Sequence, residues 1–245
     1  MSGIEIEHVS FGYEKGREIL HDITIHAKKG ESIGLVGANG VGKSTLLKLL
    51  VGLNLHFSGS IRVEGLPVEE KNLPQVREKV GYVFQDSESQ LFLSTAYEDV
   101  AFGPRNYGLP EEEVAKRTEH ALALTGCSHL RDRPTFRMSG GEKKLVSIAT
   151  ILSMNPDIIL MDEPSIALDP RNRRGLIRIL NGFPQLKIIA SHDLDMILET
   201  CERTILLSEG RIVCDGPTER ILTDGSLLEE NGLELPLGLQ PVHKD

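Results

Sequence analysis

Four short runs in this chain are almost wholly apolar, and each halts at a polar residue. They are SIGLVG at 32–37, VGYVFQ at 80–85, DIILMDE at 157–163 and KIIASH at 187–192. Continuous apolar runs of this length predict strands buried on both faces of a parallel sheet. In an open sheet of that kind the ligand crevice lies beyond the carboxyl ends of the strands. The glycine-rich segment that follows Val36, Gln85, the pair Asp162 and Glu163, and His192 are therefore predicted at one edge. IEIEHVSFGY (4–13), HDITIHA (21–27) and GSIRVEG (59–65) instead alternate apolar and polar positions. They predict a small antiparallel sheet at the N-terminal end.

Between Gln85 and Ser139 the composition turns helical. In EEEVAKRTEHALALTG (111–126), Val114, Ala121 and Leu122 share one helical face, and Gly126 stands where a helix would stop. Residues 86–137 are read as a helical insertion rather than a separate domain, and TILLSEGRIVCDG (204–216) as a hairpin. Residues 1–230 are then one domain. The tail 231–245 carries too many prolines and glycines to be regular. A chain of 245 residues is long enough for such a core, and no internal repeat breaks it up.

Charge narrows the function. With 36 acidic against 27 basic residues the net charge is −9, which argues against a general nucleic-acid binder, whose affinity comes from Lys and Arg on phosphates. Cys127, Cys201 and Cys214 are odd in number and far apart, so they spell no disulfide framework or zinc site and fit a reduced cytosolic setting. The start MSGIEIEHVS lacks the basic-then-apolar pattern of a signal peptide, and no apolar run is long enough to cross a bilayer. Any membrane role is expected from the cytoplasmic side, through a partner.

GANGVGKS (37–44) fits G-x-x-x-x-G-K-[ST], through Gly37, Gly42, Lys43 and Ser44, between a predicted strand and an apolar helix. The N–H groups of Gly37, Ala38, Asn39, Gly40, Val41 and Gly42, with the helix N-terminus through Lys43, Ser44 and Thr45, form an anion cradle. Lys43 would reach the β- and γ-phosphates of a bound nucleotide, and the Ser44 hydroxyl would bind Mg²⁺. The competing reading is a glycine turn with a stray Lys-Ser. Asp162 and Glu163 end a buried strand, where carboxylates are costly unless compensated. Asp162 suits a contact to the Mg²⁺ shell and Glu163 suits polarising the attacking water; alone, they could equally cap a turn before Pro164. Ser139 and Glu142 match a capping box. A plain cap does not explain Gly140 and Gly141, which cost on the order of 1 kcal/mol each in a helix but bare its N-terminus for a second phosphate.

GANGVGKS, FQ at 84–85, SGGEKK at 139–144, ILMDEP at 159–164 and SHD at 191–193 occur in the order and spacing of ABC-transporter ATPase subunits, which the chain resembles from residue 4 to about 225. VFQDSESQLF and EDVAFGPRNYGL resemble more narrowly the ATPases of energy-coupling-factor importers, the cobalt/nickel type in particular. The resemblance implies an α/β P-loop NTPase, RecA-like, with a mostly parallel sheet, an N-terminal antiparallel β subdomain and an inserted α-helical subdomain. It implies ATP and Mg²⁺ as ligands, with Ser44, Gln85 and Asp162 at the metal and Lys43, Glu163 and His192 in hydrolysis. Tyr13 resembles the aromatic that stacks on adenine, though a half-buried turn tyrosine is the alternative. Gln85 resembles the glutamine that contacts Mg²⁺ and water and senses the membrane subunit. Ser139, Gly140 and Gly141 resemble the signature that grips the ATP of a second protomer, packed head-to-tail, and Asp169 resembles the residue acting across that interface. His192 resembles the switch histidine at the γ-phosphate.

The implied partners are that second ATPase protomer, identical or sister, and a transmembrane coupling protein; nucleic acid is not among them. The implied location is the cytoplasmic face of the cell membrane, held peripherally. Gln90, Leu91 and Phe92 match a groove that receives coupling helices, with a plain surface loop as the alternative. Leu145 stands where a basic residue is common and Ile166 where a small one is. Neither is expected to touch the phosphates. A soluble ABC-type protein of translation or DNA repair is the reading from another class, disfavoured by a single cassette and an acidic balance.

Overall fold

The computed structural model describes residues 2–14 and 16–240. Three apolar runs become five-residue strands buried at every position, β3 (Ser32–Val36), β7 (Ile158–Asp162) and β8 (Leu186–Ala190), and the fourth becomes β6 (Val80–Val83). With β9 (Arg203–Ser208) and β10 (Arg211–Pro217) they form a six-stranded sheet in the order β10-β9-β3-β8-β7-β6. Every neighbouring pair is parallel except the hairpin β9–β10. Register fixes the geometry of the edge: Leu35 pairs with Ala190, Ala190 with Asp162, and Met161 with Val83. The polar residues that end these strands therefore emerge side by side.

The smaller sheet is β1 (Ser2–Phe11), β2 (Leu20–Lys28), β4 (Ser58–Val63) and β5 (Leu66–Pro67), antiparallel in the order β2-β1-β4-β5. It packs on one face of the large sheet together with α1 (Lys43–Leu50) and α2 (Leu73–Lys79). The opposite face is covered by α5 (Gly140–Leu152), α6 (Pro170–Asn181), α7 (Leu194–Thr200), α8 (Thr218–Leu222) and α9 (Gly225–Glu230). Alternation along one strand shows the division: Ile158 and Leu160 join the first core, Ile159 and Met161 the second.

A third core lies outside the sheet, where α3 (Ala96–Asn106) and α4 (Glu111–Leu124) pack on α5. Thr95 caps α3 by accepting from the Glu98 N–H; Ala121 and Leu122 join this core, and Val114 is buried on the same helix. Helix α5 belongs to two cores at once. Leu145, Val146 and Ala149 sit in the helical cluster, while Ile148 and Ile151 pack on the sheet.

After the hairpin the chain does not leave the body. Leu233 and Leu235 pack on the second core, and the Asp195 carboxylate accepts from the N–H groups of Leu237 and Gly238, both at 2.9 Å. One 3₁₀ turn, Leu237–Leu239, follows. The last part of the tail read as irregular, residues 241–245, lies outside the described residues. No helix among the described residues is long and apolar enough to cross a membrane.

Leu160 is wholly buried at the middle of the sheet's first core. Leu160→Ala is expected to cost about 2–5 kcal/mol of stability. In urea unfolding the midpoint should fall with an unchanged slope; an unmoved midpoint would show that β7 does not anchor this core.

Candidate active site

The loop after β3 lies so close to β9 that a Cβ on Gly37 would overlap the Leu207 carbonyl oxygen. Only glycine fits there. Six residues on, Lys43 opens α1 and its ammonium curls back over the loop, donating to the carbonyls of Gly37 (2.7 Å) and Ala38 (3.1 Å). Burial pushes the Lys43 pKa down, and the nearby Glu163 and Asp162 carboxylates oppose the shift. The lysine is thus a buried cation resting on backbone dipoles.

Ser44 Oγ donates to Asp162 Oδ1 at 2.9 Å, and Tyr82 Oη donates to Asp162 Oδ2 at 3.2 Å. Burial pushes the Asp162 carboxyl up from the ordinary carboxylate range, while the two hydroxyl donors pull it back. Glu163, the next residue, has φ +48°, a left-handed conformation that a glutamate adopts only under constraint. Its N–H donates to the Ala190 carbonyl (2.8 Å), which continues the sheet's bonding past the strand end. Its Oε2 accepts from Ser191 Oγ (3.1 Å) and the His192 N–H (3.2 Å), and His192 Nδ1 stands 2.8 Å from it. The carboxylate is buried whereas the His192 ring is 57% exposed.

These groups line one cleft. Asn39, Gly40, Gly42, Lys43, Ser44 and Thr45 face Gln85, Glu163, Ile166 and His192 across it. A second cleft, which shares Ser44, Gln85 and Ile166, reaches Asp162 and Tyr82. A Gly-Lys-Ser loop at a helix start, a buried carboxylate bonded to its serine, and a strained glutamate–histidine pair make an anhydride-cleaving site. The family model described as ABC transporter matches residues 20–166.

The chain belongs to the ABC transporter family. It is 41% identical over 237 residues to the energy-coupling factor transporter ATP-binding protein EcfA of Carboxydothermus hydrogenoformans, with 96% of this chain and 87% of that protein covered. Among solved structures it resembles cbiO1 of Clostridium perfringens, described as part of the ABC transporter complex cbiONQ. That match has a TM-score of 0.82 at 35% identity, covering 94% of each chain. It also resembles the dimeric ABC transporter cassette MJ0796, with a TM-score of 0.81 at 26% identity over 88% of this chain and 98% of that one. The fold is that of an ABC ATPase cassette, and the protein binds and hydrolyses ATP.

The remaining ABC motifs lie elsewhere. Ser139 caps α5 in a complete capping box: its Oγ accepts from the Glu142 N–H (3.3 Å) and Glu142 Oε2 accepts from the Ser139 N–H (2.8 Å). A Cβ on Gly141 would stand 3.1 Å from the Ala167 carbonyl oxygen, so close packing on the 165–168 loop is a second reason for glycine there. Asp169 caps α6, accepting from the N–H groups of Arg171 and Asn172, both at 2.9 Å. Neither Ser139, Gly140 and Gly141 nor Asp169 lines the cleft of Lys43 and Glu163. Tyr13 is exposed at the cleft's border, its Oη 3.3 Å from Thr45 Oγ1 and its ring edge-on to Phe11. Val41 is half-buried against the first core.

One departure is located by the structure and one expectation needs correction. Ile166 lines the cleft itself, beside Ser44, Glu163 and His192, because the 163–168 turn folds back over the strand end. Of the segment read as a docking groove, Phe92 alone is an open surface, at 64% exposure. Leu91 is buried and the Gln90 side chain turns inward to Phe84 N–H, the Ser147 carbonyl and Thr150 Oγ1. Leu145 is also buried, in the helical core. Two residues near the site carried no expectation, Tyr82 and Lys144. Tyr82 had a signal: a hydroxyl in an otherwise apolar buried strand must find a partner.

The donors that converge on Asp162 suit Mg²⁺, which takes few protein oxygens and keeps waters and phosphates. Ser44, Asp162 and the Gln85 amide supply hard oxygens of that kind, and no cluster of three or more His, Cys, Asp or Glu offers a closed cage among the described residues.

A raised Asp162 pKa means that the folded chain binds this proton more readily than the unfolded one, so its contribution to stability falls as pH rises. Asp162→Asn, unfolded without nucleotide and in EDTA, should therefore gain on the order of 1 kcal/mol at pH 8. The gain should shrink as pH is lowered toward about 4. A loss of stability at pH 8 would refute the cost assigned to this buried charge.

Proposed function

We propose that this chain is the ATP-hydrolysing subunit of an energy-coupling-factor importer. It would work as a head-to-tail pair, with an identical or sister ATPase, on the cytoplasmic face of the membrane. The observation that carries the reading is the buried Glu163, held in left-handed backbone at the end of β7 with His192 Nδ1 at 2.8 Å. The likeness to EcfA and to cbiO1 supports the importer class. Cobalt or nickel ions as cargo rest on the sequence resemblance alone.

ATP entering the cleft gives Lys43 new partners: its ammonium exchanges the Gly37 and Ala38 carbonyls for β- and γ-phosphate oxygens. The exposed Tyr13 ring would stack on adenine. Ser44, Gln85 and Asp162 would hold Mg²⁺, whose role when bound is to neutralise charge on the β- and γ-phosphate oxygens. Glu163 takes a proton from the water that attacks the γ-phosphorus, while the bond from that phosphorus to the bridging oxygen breaks and ADP departs. Donors from Ser191 and the His192 backbone keep the Glu163 carboxylate aimed. The exposed His192 ring lines the same cleft, with Nδ1 2.8 Å from Glu163 Oε2, and would meet the γ-phosphate there.

The cleft lacks the signature donors, since Ser139, Gly140 and Gly141 do not line it. A second cassette supplies them: the N-terminus of its α5 faces the γ-phosphate and Asp169 lies at the same interface. Toward the membrane, the exposed Phe92 ring stacks edge-on to Phe102 at 5.1 Å, an apolar surface suited to a helix of a transmembrane coupling protein.

Glu163→Gln keeps the shape of the side chain and removes the base. It should bind ATP with near-normal affinity, hydrolyse it about 10²–10⁴-fold more slowly and accumulate as an ATP-bound dimer by light scattering. A monomer with undiminished phosphate release would overturn the reading.

A further inference from the structure

Lys144 is among the largest side chains enclosed by the fold, only 1% exposed, and it lies five residues past the Ser139 cap on α5. A lysine is almost never buried without partners that satisfy its three donors. Here the partners are backbone. Nζ donates to the carbonyl oxygens of Phe84 (3.0 Å) and Gln85 (2.7 Å), the two residues that follow β6. Burial pushes its pKa down, and Asp162, Asp86 and Glu163 supply opposing charge.

The same dipeptide is held a second time from α5. Gln90 Oε1 accepts from the Phe84 N–H (3.1 Å), while Gln90 Nε2 donates to the Ser147 carbonyl (2.7 Å) and Thr150 Oγ1 (2.8 Å). The N–H of residue 84 and the carbonyls of 84 and 85 are thereby fastened to one helix. Gln85 lines both clefts, where Ser44, Asp162, Glu163 and His192 lie.

We propose that Lys144 is a positioning residue for Gln85: its ammonium fixes the 84–85 peptides against α5, so that the Gln85 amide stands in the nucleotide cleft. The inference rests on the ATPase reading of that cleft. An apolar side chain of equal length would fill the space but leave two part-buried carbonyls without this donor. The peptides would then rotate toward other partners, and the amide would move with them. Lys144 touches neither nucleotide nor water in this scheme and acts only through the residue it holds.

The test is a double-mutant cycle with hydrogen exchange beside it. Lys144→Met should slow steady-state ATP hydrolysis about 10- to 100-fold and leave the ATP dissociation constant within about twofold. Gln85→Ala should lose a similar factor, and the double variant should be no slower than the slower single, within about twofold. Lys144→Arg, which keeps charged donors, should recover most of the rate. In nucleotide-free protein, amides of the 84–90 segment should exchange faster in Lys144→Met than in wild type, with the rest of the chain unchanged. If Lys144→Met gives no cooperative unfolding transition, Lys144→Gln, which keeps one donor group, takes its place in every arm. Unchanged turnover with unchanged exchange at 84–90 overturns the proposal, as do losses that multiply in the double variant. Wild type measured in parallel separates the two failures: without phosphate release from wild type the ATPase reading falls, whereas an active wild type with multiplying losses removes only the role of Lys144.

Discussion

A hydrogen bond of 2.9 Å joins Ser44 Oγ to Asp162 Oδ1 across 118 positions of sequence, and the rest of the site is arranged around it. The bond requires β3 and β7 to end at the same level, which the register through β8 ensures. It also requires α1 to start immediately after the glycine loop, so that Ser44 sits in its first turn. A carboxylate at that depth is expensive, as its raised pKa shows, and the Ser44 and Tyr82 hydroxyls recover only part of the lost hydration. On the proposed reading, a phosphate-bound cation would supply the remaining compensation. Stability and function pull against one another at Asp162.

Backbone strain is concentrated in the same place. Glu163 and Ala167 both have positive φ, at +48° and +66°, and they bracket the turn that carries Ile166 into the cleft. Left-handed backbone on a side-chain-bearing residue costs on the order of 1 kcal/mol or more and persists only where surroundings enforce it. Here the enforcing contacts are the bond from the Glu163 N–H to Ala190 and the two donors on Oε2, Ser191 Oγ and the His192 N–H. The carboxylate has little freedom, which suits a group that must act in one direction.

Much of this was legible in the sequence, for a physical reason. A strand buried on both faces has no polar positions to confuse its reading, so SIGLV, VGYV, IILMD and LKIIA stood out, and their ends converged as the parallel topology requires. Chemistry-bearing residues at those ends were legible with them. What was not legible depends on where a side chain turns after the backbone is placed. Gln90 and Phe92 are two residues apart in one polar loop, yet one bridges inward to α5 and the other is open to solvent. Nothing in the Lys143-Lys144 dipeptide itself distinguishes the two, and only packing of α5 beneath the 84–85 segment separates them. The place of Ile166 in the cleft follows from a tight turn at Glu163, which no periodicity encodes.

Helix α5 links these parts of the molecule. Its start carries the Ser139 cap, its first turns hold the 84–85 peptides, and its middle divides between two cores through Leu145, Val146 and Ala149 on one side and Ile148 and Ile151 on the other. A close-packed helix transmits displacement without bending, because each core contact is lost if the rod deforms. Any rotation of α3 and α4 against the sheet must therefore pass through the Ile148–Ile151 surface and carry both the signature end and the Gln85 backbone with it. On the proposed reading this makes a partner's ATP, gripped at Ser139, and the chain's own ATP, sensed at Gln85, two loads on one rigid body. Closure at one site then biases the other with no contact between the two nucleotides.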